Sequence, residues 1–337
     1  MTTAADAFDN HPVSLQIAGA LLSRCGAQEA RVNSFRSRLY ATDADLTRMI
    51  DLLREVRPPA RASDYPGATD LREMLCQPER QANTRLWLDH QDQLIAFALV
   101  DDYHNLLFDY RSRANSGELE EAIVQWGAAC RQRMPRAADE DVTLDAVCRE
   151  EDAERAAWLT RHGFQPQALR TLHFIRYLSD PGPDPHVPPG FFIRSVTGDA
   201  DVEALVALHR AAFGTDHMTV AERRAMMSGP GYDPKLDLVV VASDGRLAGF
   251  CVCGIPAEEN AVTRRTEGYT DPVGVHPAFQ RKGLARALLL TGLQLLRERG
   301  AASAVLGTSS ENTAMQAAAR SAGFQVESSK VWFSKPV

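Results

Sequence analysis

The chain has 337 residues, more than the roughly 100–200 of a single domain, so two domains are expected, and its 45% hydrophobic content can supply two cores. A formal net charge of −7 argues against a nucleic-acid partner. No apolar run approaches the roughly 18–20 residues that span a bilayer, and the N-terminus opens with Asp6 and Asp9 where a secretion signal would carry Lys or Arg. The expectation is a soluble cytoplasmic protein with no membrane partner, a monomer or a homodimer. The six cysteines have no CxxC-type spacing, so no metal is expected, and Cys251 and Cys253 alternate within an apolar strand as core thiols.

In chain order, residues 1–30 read as an N-terminal helical extension. Residues 31–178 read as a first domain, in which "FRSRL" is a strand, "DADLTRMIDLLREV" a helix, "DQLIAFALV" a strand and "EEDAERAAWLTRHGF" a helix closing on Gly-Phe. The Pro- and Gly-dense "SDPGPDPHVPPG" (179–190) is a linker. Residues 191–337 are punctuated more clearly. "FFIRSV" is a strand, "DADVEALVALHRAAF" a helix, and "LDLVVVASDGRLAGFCVCGI" a hairpin turning at Asp244-Gly245. "RTEGYTDPVGV" is the next strand. A helix over about 283–299 stops at Gly300, and "SAVLGTS", "ENTAMQAAARSAGF" and "VWFSK" complete a βαβββαβαβ alternation. The two domains repeat one pattern, with Phe97 matching Phe250 and Gly163-Phe164 matching Gly323-Phe324. The fold class is therefore α/β, an α+β arrangement of two tandem copies, each a mixed sheet flanked by helices.

The copies differ at one helix start. The second carries "FQRKGLAR" (279–286), with cations and a glycine at the mouth of an apolar helix. Open N–H groups and a partial positive charge at such a mouth suit a phosphate, and Gly283 leaves no Cβ in its way. The first copy offers "LFDYRSRANSGELEEA", whose helix opens with Glu118, Glu120 and Glu121. Those carboxylates stabilise the helix and repel a phosphate, so the first copy is expected to lack the anion site.

"VGVHPAFQRKGLARALL" resembles the central motif of the GCN5-related N-acetyltransferase (GNAT) superfamily, and Asn312 with Gly323-Phe324 extends the resemblance over about residues 191–337. The resemblance implies acetyl-coenzyme A as co-substrate. Its pyrophosphate would lie on Gln280, Arg281, Lys282, Gly283, Leu284, Ala285 and Arg286, and its pantetheine arm along the main chain of Val273, Gly274 and Val275. The Val275 N–H would donate to the acetyl oxygen, and Asn312 would bond the cofactor from the next helix. On this reading the second domain is the catalytic one and the first a degenerate copy.

Acetyl transfer needs a neutral amine, and an alkyl ammonium has a pKa of about 10.4, so a base is useful. Asp271 ranks first and Glu267 second, both on the entering strand with Tyr269 between them. The two carboxylates share a face of a regular strand, although Pro272 signals a bulge. Many members carry a Tyr seven residues after the motif Asn to protonate the thiolate; here that position is Ala319, and Tyr232, Tyr269 or Ser310 are substitutes. His217, Met218, Met226, Met227 and Tyr232 are candidates for an acceptor-side lid, and His276 reads as a turn residue. The leading function is acetyl-coenzyme A-dependent N-acetylation of a primary amine on a small-molecule acceptor. The alternatives are a non-catalytic acyl-coenzyme A sensor, and a Cys-containing acceptor, since the tandem layout resembles that of mycothiol synthases.

Overall fold

The computed structural model describes residues 35–112, 116–135, 141–216, 218–229 and 231–337, so the extension expected over residues 1–30, Cys25 and His217 lie outside the described residues. The first repeat opens with strand β1 (Phe35–Leu39), helix α1 (Asp43–Val56), and short helices α2 (Ala68–Met74) and α3 (Pro78–Ala82). Strands β2 (Thr84–Asp89), β3 (Leu94–Val100) and β4 (Leu106–Tyr110) follow. It closes with α4 (Gly117–Arg133), β5 (Thr143–Arg149), α5 (Ala153–Arg161) and β6 (Gln165–Tyr177).

The second repeat runs β7 (Phe191–Ser195), α6 (Val202–Phe213), α7 (Val220–Ser228), β8 (Asp237–Ala242) and β9 (Leu247–Gly254). It continues with α8 (Ala257–Thr263), β10 (Glu267–Val275), α9 (Leu284–Glu298), β11 (Ser303–Ser309), α10 (Thr313–Ser321) and β12 (Gln325–Pro336). The expected strands and long helices are present; α7 and α8 are additions. Helix α7 begins at Thr219, whose hydroxyl accepts from the Glu222 N–H while Glu222 returns a bond to the Thr219 N–H, a capping box written in the sequence as "TVAE".

One sheet has the order β1-β2-β3-β4, all antiparallel. The other has eight strands, β5-β12-β6-β11-β10-β9-β8-β7, with a single parallel pair, β10 and β11. Strand β6 of the first repeat therefore lies between β11 and β12 of the second, and β12 lies between β5 and β6 of the first. The exchange carries core residues with it. Phe174 of β6 and Leu178 just beyond its end are buried in the core of the second repeat, while Phe333 of β12 is buried in that of the first. Residues 35–337 pack as one compact unit around these shared strands.

Each repeat has a place where two parallel-running strands part. In the second, β10 and β11 pair only at Glu267 with Ser303, Gly268 with Ala304 and Tyr269 with Val305, and then diverge. In the first, β4 and β5 form no paired ladder among the described residues and are joined by the isolated bridge of Asn105, just ahead of β4, with Asp145. Arg155 fills that gap: its guanidinium lies 3.5 Å from the centre of the Phe108 ring and donates to the Phe108 carbonyl at 2.8 Å. The first helix turn beyond the gap is occupied by Glu118 and Glu120, and Glu120 accepts from the Tyr110 hydroxyl at 2.8 Å.

Candidate active site

Helix α9 starts from a mouth that the sequence leaves open. Gly283 has φ +83°, a left-handed conformation that favours glycine, and a Cβ built there meets nothing within 4 Å. Its first turn holds no acidic residue, and the first backbone bond is Ala287 N–H to the Gly283 carbonyl at 3.0 Å. Among the described residues, the amides of residues 281–286 ahead of that bond have no partner. They form the kind of nest that holds a phosphate. Arg281 and Lys282 are exposed beside it. Two of the expected donors have other work: Gln280 Nε2 donates to the Val275 carbonyl at 3.3 Å, and Arg286 Nε to the Ser321 carbonyl at 3.0 Å.

Strand β10 leads from this mouth to the acceptor side. His276 N–H donates to the Ala248 carbonyl of β9, so by alternation Gly274 also faces β9, and Val273 and Val275 turn their N–H groups toward the gap that β11 has vacated. The bulge signalled by Pro272 is present, between Thr270 and Val273. Asn312 caps α10, its Oδ1 accepting from the Met315 N–H at 3.0 Å, which leaves its amide donors free. His276 is the turn residue expected, its Nδ1 accepting from the Ala278 N–H at 3.1 Å.

Glu267, Tyr269 and Asp271 line one cleft of about 670 Å³. Its facing wall comes from the first repeat, with Tyr65, Asp70 and Glu73, and its far end from His173 of β6 and Lys330 of β12. Asp271 opens into the cleft and accepts from the Gly307 N–H at 3.0 Å. The protein surrounding the cleft desolvates the carboxyl, and the Asp70 charge adds to the effect; together they outweigh the Gly307 bond and push its pKa up to about 6. Glu73 is pushed up to about 7 by burial and by Asp70. Glu267 is buried; burial raises its pKa against the pull of Arg265 at 3.5 Å, and Asn260 clamps its backbone through bonds of 3.1 and 2.8 Å.

The possible proton donors separate cleanly. The Tyr232 hydroxyl donates to Asp237 at 2.7 Å within a buried pair with Arg223, and Ser310 Oγ accepts from the Arg170 N–H at 3.1 Å. Tyr269 lines the cleft, and its hydroxyl makes no hydrogen bond among the described residues. Its ring crosses β9 where Gly254 has no side chain; a Cβ there would stand 2.3 Å from the hydroxyl. Ala319 is fully buried in the core that also holds Leu306 and Phe324, so that position faces inward. Of the lid candidates, Met226 lines the cleft, Met227 packs against the core beside α6, and Met218 offers its carbonyl to Arg210. Asp70, Glu73, His173 and Lys330 carried no local signal, because their place in the cleft depends on the exchanged strands and on packing between the repeats. Among the described residues no group of side chains could hold a metal ion, and no helix is long and apolar enough to cross a membrane.

Known proteins resemble this chain in sequence and in fold. The pattern of the Acetyltransferase (GNAT) family matches residues 202–324. A mycothiol acetyltransferase of Segniliparus rotundus is 32% identical over 52% of this chain and 67% of its own length. One of Saccharomonospora viridis is 29% identical over 89% and 99%, whereas the match to one of Renibacterium salmoninarum, also 29% identical, spans only 50% and 52%. Among solved structures, a GCN5-related N-acetyltransferase from Sphaerobacter thermophilus superposes with a TM-score of 0.64 at 22% identity, covering 90% of this chain and 96% of that one. A tandem GNAT protein from the clavulanic acid biosynthesis pathway superposes with a TM-score of 0.61 at 17% identity, covering 90% and 98%. A parted strand pair, an amide nest at the following helix and a matching family pattern across both converge on one conclusion: the chain belongs to the GNAT acetyltransferase family, as an N-acetyltransferase whose co-substrate is acetyl-coenzyme A.

Proposed function

We propose that the chain transfers the acetyl group of acetyl-coenzyme A to a primary amine of a small molecule held in the cleft beside Asp271. The observation that carries this reading is the run of open amides at residues 281–286, set at the end of a strand whose Val273 and Val275 N–H groups face a vacated gap. Acetyl-coenzyme A supplies an activated acyl carbonyl and a thiol leaving group. The 281–286 nest, with Arg281 and Lys282, would hold its pyrophosphate, and the Val273–Val275 edge would pair with its amide-bearing arm. The N–H of Val275, or of Val273 nearer to Asp271, would donate to the carbonyl oxygen as charge develops there, a role worth about 3–4 kcal/mol.

Asp271 is the base. A carboxylate with a pKa of about 6 is ionised near neutrality and can take a proton from the acceptor's ammonium, directly or through one water, so that the neutral amine attacks. As the new C–N bond forms and the C–S bond breaks, the thiolate keeps the electron pair and a proton returns to it. Tyr269, with its free hydroxyl on the cleft, is the donor best placed for that step. Glu267, clamped by Asn260 and paired with Arg265, holds the strand that carries Asp271. The relatives' name favours a second reading of the acceptor, mycothiol-synthase-like acetylation of a Cys-containing thiol.

Calorimetric titration of acetyl-coenzyme A into the wild type and into Gly283→Glu tests the cofactor site. Micromolar binding to the wild type, lost in a variant that still melts cooperatively, is expected. Absence of binding to the wild type would overturn the reading.

A further inference from the structure

Beyond the choice of base, the cleft is lined by many carboxylates and by three cations, of which Arg149 pairs with Asp64 and Arg265 with Glu267, while Lys330 has no equally close partner. At the Asp271 end, Asp70, Glu73 and Glu259 have no cation within ion-pairing distance among the described residues. Asp70 accepts from the Gly67 N–H at 2.7 Å, and Glu259 from the Thr69 N–H and hydroxyl at 2.9 Å each. At the other end stands Lys330, only 8% exposed. Its ammonium makes no hydrogen bond among the described residues; the nearest carboxylate oxygen, Asp64 Oδ1, is 4.0 Å away. Asp64 is already engaged by Arg61 at 3.0 Å and by Arg149 at 2.7 Å. An ammonium has three protons to donate, and Asp64 at 4.0 Å is an ion-pair partner beyond hydrogen-bond reach. On the same stretch of floor, His173 Nε2 is buried without a partner.

The sheet register fixes how far apart the two ends are. The Asp271 carboxylate sits on the Gly307 amide, Gly307 lies opposite His173, His173 opposite Ser328, and Lys330 is two residues further along β12. From the Gly307 amide that holds the Asp271 carboxylate, two strand spacings of about 4.8 Å and two residue rises of about 3.3 Å reach the Lys330 Cα about 12 Å away, which the Lys330 side chain narrows to the span of a di- or tripeptide. A diamine of that length would set its second cation against Lys330. A neutral tail would offer the Lys330 ammonium no acceptor at hydrogen-bond distance.

We infer that the acceptor is an amine bearing a carboxylate at its far end, with the amine at Asp271 and the carboxylate on Lys330. Lys330 is then a positioning residue that selects the substrate. This rests on the cleft being the acceptor site of the proposed reaction.

The test uses the full chain with acetyl-coenzyme A and four probe amines: 6-aminohexanoate, triglycine, hexylamine and 1,6-diaminohexane. Thiol release is followed at varied probe concentration. At least one of the two acids should show a KM tenfold or more below those of hexylamine and the diamine. Lys330→Met should raise the KM for that acid at least tenfold while kcat at saturation changes less than threefold, and Lys330→Arg should recover most of the loss. Acetyl-coenzyme A affinity, measured by calorimetry, reports whether each variant is folded. Preference for the diamine, a preference that survives Lys330→Met, or no turnover of either acid by protein that binds acetyl-coenzyme A would each overturn the inference alone. Failure of the wild type to bind acetyl-coenzyme A would remove both the inference and the reading beneath it.

Discussion

Asp271 shows how one side chain acquires a function from its surroundings. An ordinary Asp, with a pKa of about 3.9, is a poor base toward an ammonium. Here the desolvating cleft and the neighbouring Asp70 carboxylate raise the value to about 6. The sign follows directly: below that pH the carboxyl is protonated and cannot accept, and above it the base is free, so kcat/KM should climb through an acid limb centred near 6. Asp271→Asn should lower kcat/KM by about 10²–10⁴-fold and abolish the limb. Asp70→Asn removes a like charge, so it should move the limb to lower pH while leaving it in place. Rate profiles between pH 5 and 9 with any competent amine decide both; an unchanged limb in Asp271→Asn would assign the base elsewhere.

At the scale of elements, α9 carries glycines at both ends that differ only in what they face. Gly283 at its start and Gly300 beyond its end have φ of +83° and +84°, and neither has an atom within 4 Å of a built Cβ. Alanine at either position should therefore cost a similar amount, about 1–2 kcal/mol for a left-handed non-glycine residue. Only Gly283→Ala puts a methyl over the amide nest, so only that variant should weaken acetyl-coenzyme A binding, by about tenfold or more, as read by calorimetry. Equal affinities in the two variants would place the phosphates off the nest. This element was legible in the sequence because all its information is local: a glycine, cations and an apolar helix within a few residues. The hairpin at Asp244-Gly245 and the glycine-marked ends of α9 were legible for the same reason. Helix α7 was written there too, in its capping box, but its Met residues and weak apolar stripe hid it within a segment read as a lid. The Arg155 plug of the first repeat was invisible, because a cation at the sixth residue of "EEDAERAAWLTRHGF" gives no hint that it will reach the Phe108 carbonyl.

The whole molecule is organised by the exchange of strands between repeats, and this no spacing could disclose. Repetition in the sequence marks two copies of one pattern; the register lays β6 and β12 side by side, each packed into the other repeat's core. The cleft depends on the same exchange, since His173 and Lys330 reach it only from these strands. Unfolding should accordingly be one transition. Phe174, fully buried on β6, belongs to the first repeat in sequence and to the second repeat's core in space. Replacing it with Ala should cost about 3–5 kcal/mol, the usual toll for a buried Phe. The loss should be shared by both repeats: fluorescence dominated by Trp87, Trp126 and Trp158 of the first repeat, and acetyl-coenzyme A binding by the second, should shift to lower urea together. Two separate midpoints, with the first repeat's tryptophans unmoved by Phe174→Ala, would mean that the shared strands do not couple the halves. A single shifted midpoint would mean that the acceptor wall, the base and the far-end Lys330 are held by one cooperative core, so a substitution in either repeat can alter the cleft.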